Sequence, residues 1–191
     1  MRSKNGIIIR NYREQKHPGT LCLACHCHRG IFAASCGFFY SSKEFIQLNR
    51  FKISTNFEDL DINLVYSFIS NSYWAKNIPF EVFERSLKNS LVFGAYGSND
   101  EQAGFARVIT DKATFAYLSD VFVLENYRGL GTSKLLMEAI CQHGDLQGLR
   151  RFMLATSDAH GLYAKFGFES VANPEILMQV WQPSVYEQTC K

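Results

Sequence analysis

The stretch from Thr114 to Ile140, TFAYLSDVFVLENYRGLGTSKLLMEAI, constrains the fold more than any other part of the chain. Phe115, Tyr117, Leu118, Val121, Phe122, Val123 and Leu124 are the residue types that fill strands, and turn residues bound them. Glu125, Asn126 and Tyr127 form a short connection. Arg128-Gly129-Leu130-Gly131-Thr132-Ser133-Lys134 then opens a helix whose apolar positions are Leu135, Leu136, Ala139 and Ile140. The unit is therefore strand, glycine-bearing turn, helix. The first turn of a helix leaves backbone N–H groups unpaired, and glycines let a phosphate approach them closely. Arg128 and Lys134 add positive charge at the same mouth.

Spacing narrows the kind of phosphate ligand. A Walker loop needs Gly-x-x-x-x-Gly-Lys-Ser/Thr, which is not found here. A dinucleotide fingerprint starting at Gly129 would put its third glycine where Lys134 stands. What fits is Arg-x-x-Gly-x-small, carried by Arg128, Gly131 and Ser133. This resembles the acyl-CoA pyrophosphate loop of the GNAT family of N-acetyltransferases, with Ser133 in place of the family's Gly or Ala. Two neighbours strengthen the likeness. Tyr117-Leu118-Ser119-Asp120-Val121-Phe122-Val123 is similar to the family's fourth strand, and Leu162-Tyr163-Ala164-Lys165-Phe166-Gly167-Phe168 to its Phe-Tyr-x-Lys-x-Gly-Phe segment. Together the three motifs extend the resemblance over residues 51 to 181.

The resemblance implies a mixed α/β (α+β) domain, with a mostly antiparallel sheet of six to seven strands flanked by helices. It implies acetyl-CoA as co-substrate and a primary amine of a small molecule as acceptor, with no metal. Residues 128–134 would hold the pyrophosphate. Val121, Phe122 and Val123 would lie where the strand splays, with backbone groups free for the pantetheine arm and the thioester carbonyl. Tyr163 takes the general acid position, since a phenol near pKa 10 can protonate a thiolate near 8.5. Thr156 stands where many relatives carry Asn. Asp120 is the remaining candidate for catalytic base, because Ser119 occupies the place of the glutamate in polyamine enzymes. Asp158 and His160 are local alternatives. Tyr73 and Trp74, at the joint between two helices, are candidate walls for the acceptor, with core aromatics as the other reading.

A missing strong base bears on the acceptor. Deprotonating a lysine-like amine costs about 4–5 kcal/mol at pH 7, whereas an α-amine near pKa 8 costs about 1. Acetylation of a peptide or protein amine, or acyl-CoA sensing without catalysis, are the competing readings.

Charge divides the chain. Its net charge of +2 combines +6 in residues 1–50 with −4 in the remainder, so nothing in residues 51–191 reads as a nucleic-acid surface. No apolar run reaches the roughly 18 residues that span a bilayer, and a soluble, cytoplasmic protein is expected, with a homodimer left open. Cys22, Cys25, Cys27, His28 and Cys36 crowd into the leader. Cys22-x-x-Cys25-His26 matches a haem-attachment pattern by letter, and a zinc site is a second alternative. The reading adopted is a poorly ordered or accessory leader of residues 1–50 before an N-acetyltransferase domain of residues 51–191.

The remaining elements follow from local signals. Phe51–Thr55 reads as a first strand, and Asp61 as the cap of a helix carrying Leu64, Val65, Phe68 and Ile69. Pro79 begins a second helix with Phe80, Phe83 and Leu87 on one face. Strands are expected at Leu91–Tyr96, Gln102–Ile109 and Arg151–Thr156. Asp158 is expected to cap a helix over Ala159–Phe166, and Phe168–Val171 with Ile176–Trp181 to form a closing hairpin. Deleting residues 1–45 is expected to leave a folded, CoA-binding domain. Loss of the cooperative thermal transition in the truncated protein would make the leader part of the fold.

Overall fold

The computed structural model describes residues 50–187, so the leader and its cysteines lie outside the described residues. Five strands in sequence order, β1 to β5, form one sheet: Lys52–Ser54, Leu91–Tyr96, Gln102–Thr110, Phe115–Val123 and Arg151–Leu154. The first four pair antiparallel through short connections, and β4 pairs parallel with β5 across a helical crossover. Four α-helices accompany them: α1 (Ile62–Ser70), α2 (Phe80–Lys88), α3 (Thr132–Gln142) and α4 (His160–Tyr163).

Each helix starts where local chemistry allows. The Asp61 carboxylate accepts from the Leu64 amide at 3.0 Å and caps α1. Pro79 precedes α2 with its ring-fixed φ of −63°, at a position where no intrahelical N–H is needed. α1 and α2 bury Val65, Ile69, Phe83 and Leu87 on one sheet face, beside Phe105 and Phe122. α3 buries Leu136, Met137 and Ile140 on the other, against Phe93, Val108 and Leu118. Strands β2 and β3, covered on both faces, therefore read as near-continuous buried runs rather than alternating ones. Gly104 marks the closest approach. A Cβ there would lie 2.9 Å from the Phe122 carbonyl and 3.4 Å from Leu136, so a side chain would push α3 off the end of β4.

Two expectations are corrected. The closing hairpin does not form, leaving five strands among the described residues rather than six or seven. Phe168 turns inward, its ring 5.1 Å from Phe152 and 6.0 Å from Tyr163. Pro174 opens a 3₁₀ turn over Pro174–Ile176, where the second arm would begin. Met178, Val180 and Trp181 stay exposed. Nor does Asp158 cap the helix before Tyr163. The Ala159 amide donates instead to Thr156 Oγ1 at 3.0 Å, and only His160–Tyr163 is α-helical before a 3₁₀ turn over Ala164–Phe166.

The loop before α1 is tied to the sheet by Tyr96, whose hydroxyl donates to the Asp59 carbonyl at 2.8 Å. Burial first, then the charges of Asp59 and Asp61, push its pKa up to about 12. The unfolded phenol ionises near 10, so stability is complete below pH 10 and falls as pH rises toward 12. Tyr96→Phe is expected to cost about 1 kcal/mol near pH 7 through the lost hydrogen bond. It should also flatten the alkaline decline, read as urea midpoints between pH 8 and 11.5.

Candidate active site

The feature that creates the site is a fault in the sheet. β4 pairs with β5 only from Phe115 to Leu118, so residues 119–123 run on without a partner on that side. At the same point β4 bulges. Phe105 faces Phe122 and Arg107 faces Ser119, so Asp120 and Val121 share the place opposite Ala106. Asp120 has a φ of +54°, a left-handed conformation that Asp tolerates better than most side chains. Its carboxylate anchors that backbone. Oδ2 accepts from Arg107 Nε at 2.6 Å, and Oδ1 from Trp74 Nε1 at 3.0 Å. Arg107 in turn donates from Nη1 to Ser90 Oγ at 3.2 Å. Both members of the ion pair are largely withdrawn from water, with side-chain exposures of 13% and 7%.

The glycine-bearing turn follows immediately. Gly129 and Gly131 have φ of +73° and +86°, and a Cβ at either would meet no atom within 4 Å. Their missing side chains are thus required by conformation, and they leave open space in front of the helix. Gly131 caps α3 without a side-chain acceptor, so the amides of Thr132 and Ser133 lie in the first turn of a helix with no side-chain cap. The Thr132 side chain is turned inward and donates to the Tyr127 carbonyl at 3.2 Å, leaving only its amide for a ligand. Leu130 is half-buried. Arg128 is exposed and donates from Nε to the Val123 carbonyl at 3.2 Å, linking the turn to the end of β4. Lys134 Nζ lies 3.9 Å from Glu138.

Tyr163 comes from α4, beyond β5, and packs in the same apolar cluster against which Val121 and Val123 lie. Burial raises its pKa above the ordinary phenol value, and the charges of Asp158 and Tyr73 add to the effect. Tyr73 itself reaches across to Ser157, with 3.4 Å between the hydroxyls. It also lines a groove of about 480 Å³ with Leu64, Phe68, Asn71, Trp74 and Leu124. The buried Phe122 stacks on Phe68 with ring centroids 3.9 Å apart. Trp74 faces a second, smaller cavity as well.

Residues 88–170 match the family model of the acetyltransferase (GNAT) domain. Over 135 residues the chain is 30% identical to a Gibberella zeae protein named as an acetyltransferase, covering 59% of this chain and 75% of that one. The chain belongs to the GNAT acetyltransferase family. A GNAT-family acetyltransferase of known structure from Xanthomonas campestris pv. campestris is 51% identical, with a TM-score of 0.69 over 71% of this chain and 96% of its own. An acetyltransferase structure from Staphylococcus aureus shares the fold at 23% identity, with a TM-score of 0.56 over 69% of this chain and 99% of its own.

Acetyl-CoA is the co-substrate of this family, and the residues present fit its diphosphate. A two-glycine turn with open space and a helix N-terminus without a side-chain cap together suit an anion. The parted strand of the acetyltransferase suits the arm behind it, because extended ligands pair with an unpaired strand edge. Sequence reasoning singled out Tyr73, Trp74, Asp120 and Tyr163, and the fold brings the first three to one side of β4. It passed over Arg107. The signal was a lone cation inside the apolar run Ala103-Gly104-Phe105-Ala106-Arg107-Val108-Ile109, which a covered strand tolerates only with a partner.

Gly131→Ala keeps the cradle uncharged and is expected to cost about 1–2 kcal/mol of stability through its left-handed φ. Gly131→Glu and Gly129→Glu add a carboxylate in front of the amides and should abolish CoA binding. Calorimetry giving unchanged CoA affinity in the Glu variants would remove this turn from the binding site.

Proposed function

We propose that this acetyltransferase moves the acetyl group directly from acetyl-CoA to a primary amine of a small molecule. The observation that carries the reading is the split in the sheet, which puts unpaired β4 backbone beside a bare helix N-terminus. In this reading the turn 128–134 holds the diphosphate. An amide of the Val121–Val123 segment donates to the thioester carbonyl oxygen, stabilising the charge that develops there. The amine lone pair attacks the carbonyl carbon, a C–N bond forms and the C–S bond breaks. The departing thiolate takes the proton of the Tyr163 hydroxyl, which solvent then replaces, and the surplus amine proton leaves to solvent. The raised pKa of Tyr163 keeps the phenol protonated throughout the neutral range, as a proton donor requires.

Asp120 has both oxygens engaged by Arg107 and Trp74, which favours holding the amine over shuttling its proton. The acceptor then supplies its own neutral form. Less basic amines reach that form more readily than a lysine side chain, of which fewer than about one in a thousand is neutral at pH 7. The size of the cavity beside Asp120, about 210 Å³, supports a small acceptor over a length of peptide.

Tyr163→Phe keeps the ring and its contact with Phe168 while removing the proton. Turnover is expected to fall about 10²-fold with CoA affinity nearly unchanged. Equal turnover across pH 6–9 would make Tyr163 a packing residue, and parallel loss of CoA binding would make it a structural one.

A further inference from the structure

The cavity of about 210 Å³ lies beneath Trp74, between α1 and α2 on one side and β3 and β4 on the other. Its walls are of two kinds. Ile69, Ile78, Val82 and Phe83 make an apolar end, while Arg107, Ser119 and Asp120 make a polar end at the bulge. The cavity has room for a side chain of the size of valine or leucine. Tyr186, from the C-terminal stretch, closes one side.

The polar end is unusual in carrying one cation and one anion in direct contact. Neither is saturated. The hydrogen bonds described for Arg107 engage Nε and one N–H of Nη1, two of its five donors. The two donors on Asp120 occupy half of the roughly four lone-pair sites of a carboxylate. A wall of zero net charge does not favour a lone ammonium or a lone carboxylate, since either would enter largely desolvated and only half matched. A ligand that carries both charges satisfies both partners. Because the two side chains touch at 2.6 Å, its own charges must be close together.

Resting on the acetyl-transfer reading above, we propose that the acceptor is a small apolar α-amino acid. Its carboxylate lies on Arg107, its amino group on Asp120 and its side chain among Ile69, Ile78, Val82 and Phe83. An α-amino acid separates its charges by a single carbon, which suits a contacting Arg–Asp pair, whereas an ω-amino acid does not. The amino group arrives as the ammonium, gives one proton to solvent, and attacks as the neutral amine beside the Val121 amide, next to the point where the thioester carbonyl is held. The transfer leaves an N-acetylamino acid that retains its carboxylate and has lost its positive charge, so Asp120 no longer attracts it. That loss favours release.

The test uses the full chain, acetyl-CoA and a thiol-release assay with four acceptors: leucine, leucine methyl ester, 3-methylbutylamine and 5-aminopentanoate. Leucine should exceed each of the others in kcat/KM by about tenfold or more, because a site built to bind a polar group penalises its absence. Arg107→Lys retains the charge without the fork. It should lower the ratio of kcat/KM for leucine over the ester about tenfold, whatever rate both acceptors lose together. If the ester or the simple amine matches leucine, the proposal falls. It falls equally if a protein that binds acetyl-CoA by calorimetry acetylates no α-amino acid. A protein that does not bind acetyl-CoA would instead overturn the acetyl-transfer reading on which the proposal rests. Should Arg107→Lys fail to fold, the four acceptors on the unaltered protein still decide.

Discussion

The ion pair between Arg107 and Asp120 holds together the one irregular place in an otherwise regular sheet. A left-handed φ at a non-glycine residue costs about 1–3 kcal/mol, and it persists only where the surroundings over-determine it. Here they do. Removing one partner of a buried pair costs about 3–5 kcal/mol, because the other charge is left stranded. The pair and the bulge therefore stand or fall together, since straightening the bulge would part the two charges. Everything distinctive about the site depends on it: the backbone of residues 119–123 freed from β5, the aromatic joint drawn in through Trp74, and the charged end of the smaller cavity.

In the proposed reading, recognition of the co-substrate and recognition of the acceptor rest on different chemistry. On one side of β4 the chain offers backbone amides on a helix start, with Arg128 engaged on the Val123 carbonyl at the same mouth. Such a cradle accepts any ligand with the right diphosphate, and its affinity depends on two conformations that only glycine adopts readily. On the other side the groups are side chains fixed by long-range contacts, and there selectivity can change with one substitution.

How much could be read from the sequence follows the same division. β2 runs Leu91–Tyr96, α1 is capped by Asp61 and α3 opens after Gly131, all as local patterns indicate, because caps, turns and apolar periodicity act within a few residues. The bulge at Asp120 was not legible. It depends on Arg107, 13 residues earlier, and on Trp74, 46 residues earlier, and no short-range rule links these three. The failed hairpin is the converse case. Ile176–Trp181 has strand composition, but Pro174 engages its start in a turn, and composition alone does not supply a pairing partner. Asp158 has the composition of a cap, but the helix begins at His160 with no side-chain cap, and the nearby Ala159 amide goes to Thr156 Oγ1.

Trp74 has one more property. The chain contains two tryptophans, and the other, Trp181, is 70% exposed in the C-terminal stretch. Trp74 stands between the two cavities with its indole N–H held by Asp120 and its ring edge-on to Tyr73 at 5.0 Å. An indole already surrounded by water emits at long wavelength and gains little from a ligand elsewhere. Trp74, 41% exposed against 70% for Trp181, is the more shielded of the two and lines both cavities, so a change in tryptophan emission on filling either is expected chiefly from it, which makes the joint between α1 and α2 a built-in optical probe of occupancy.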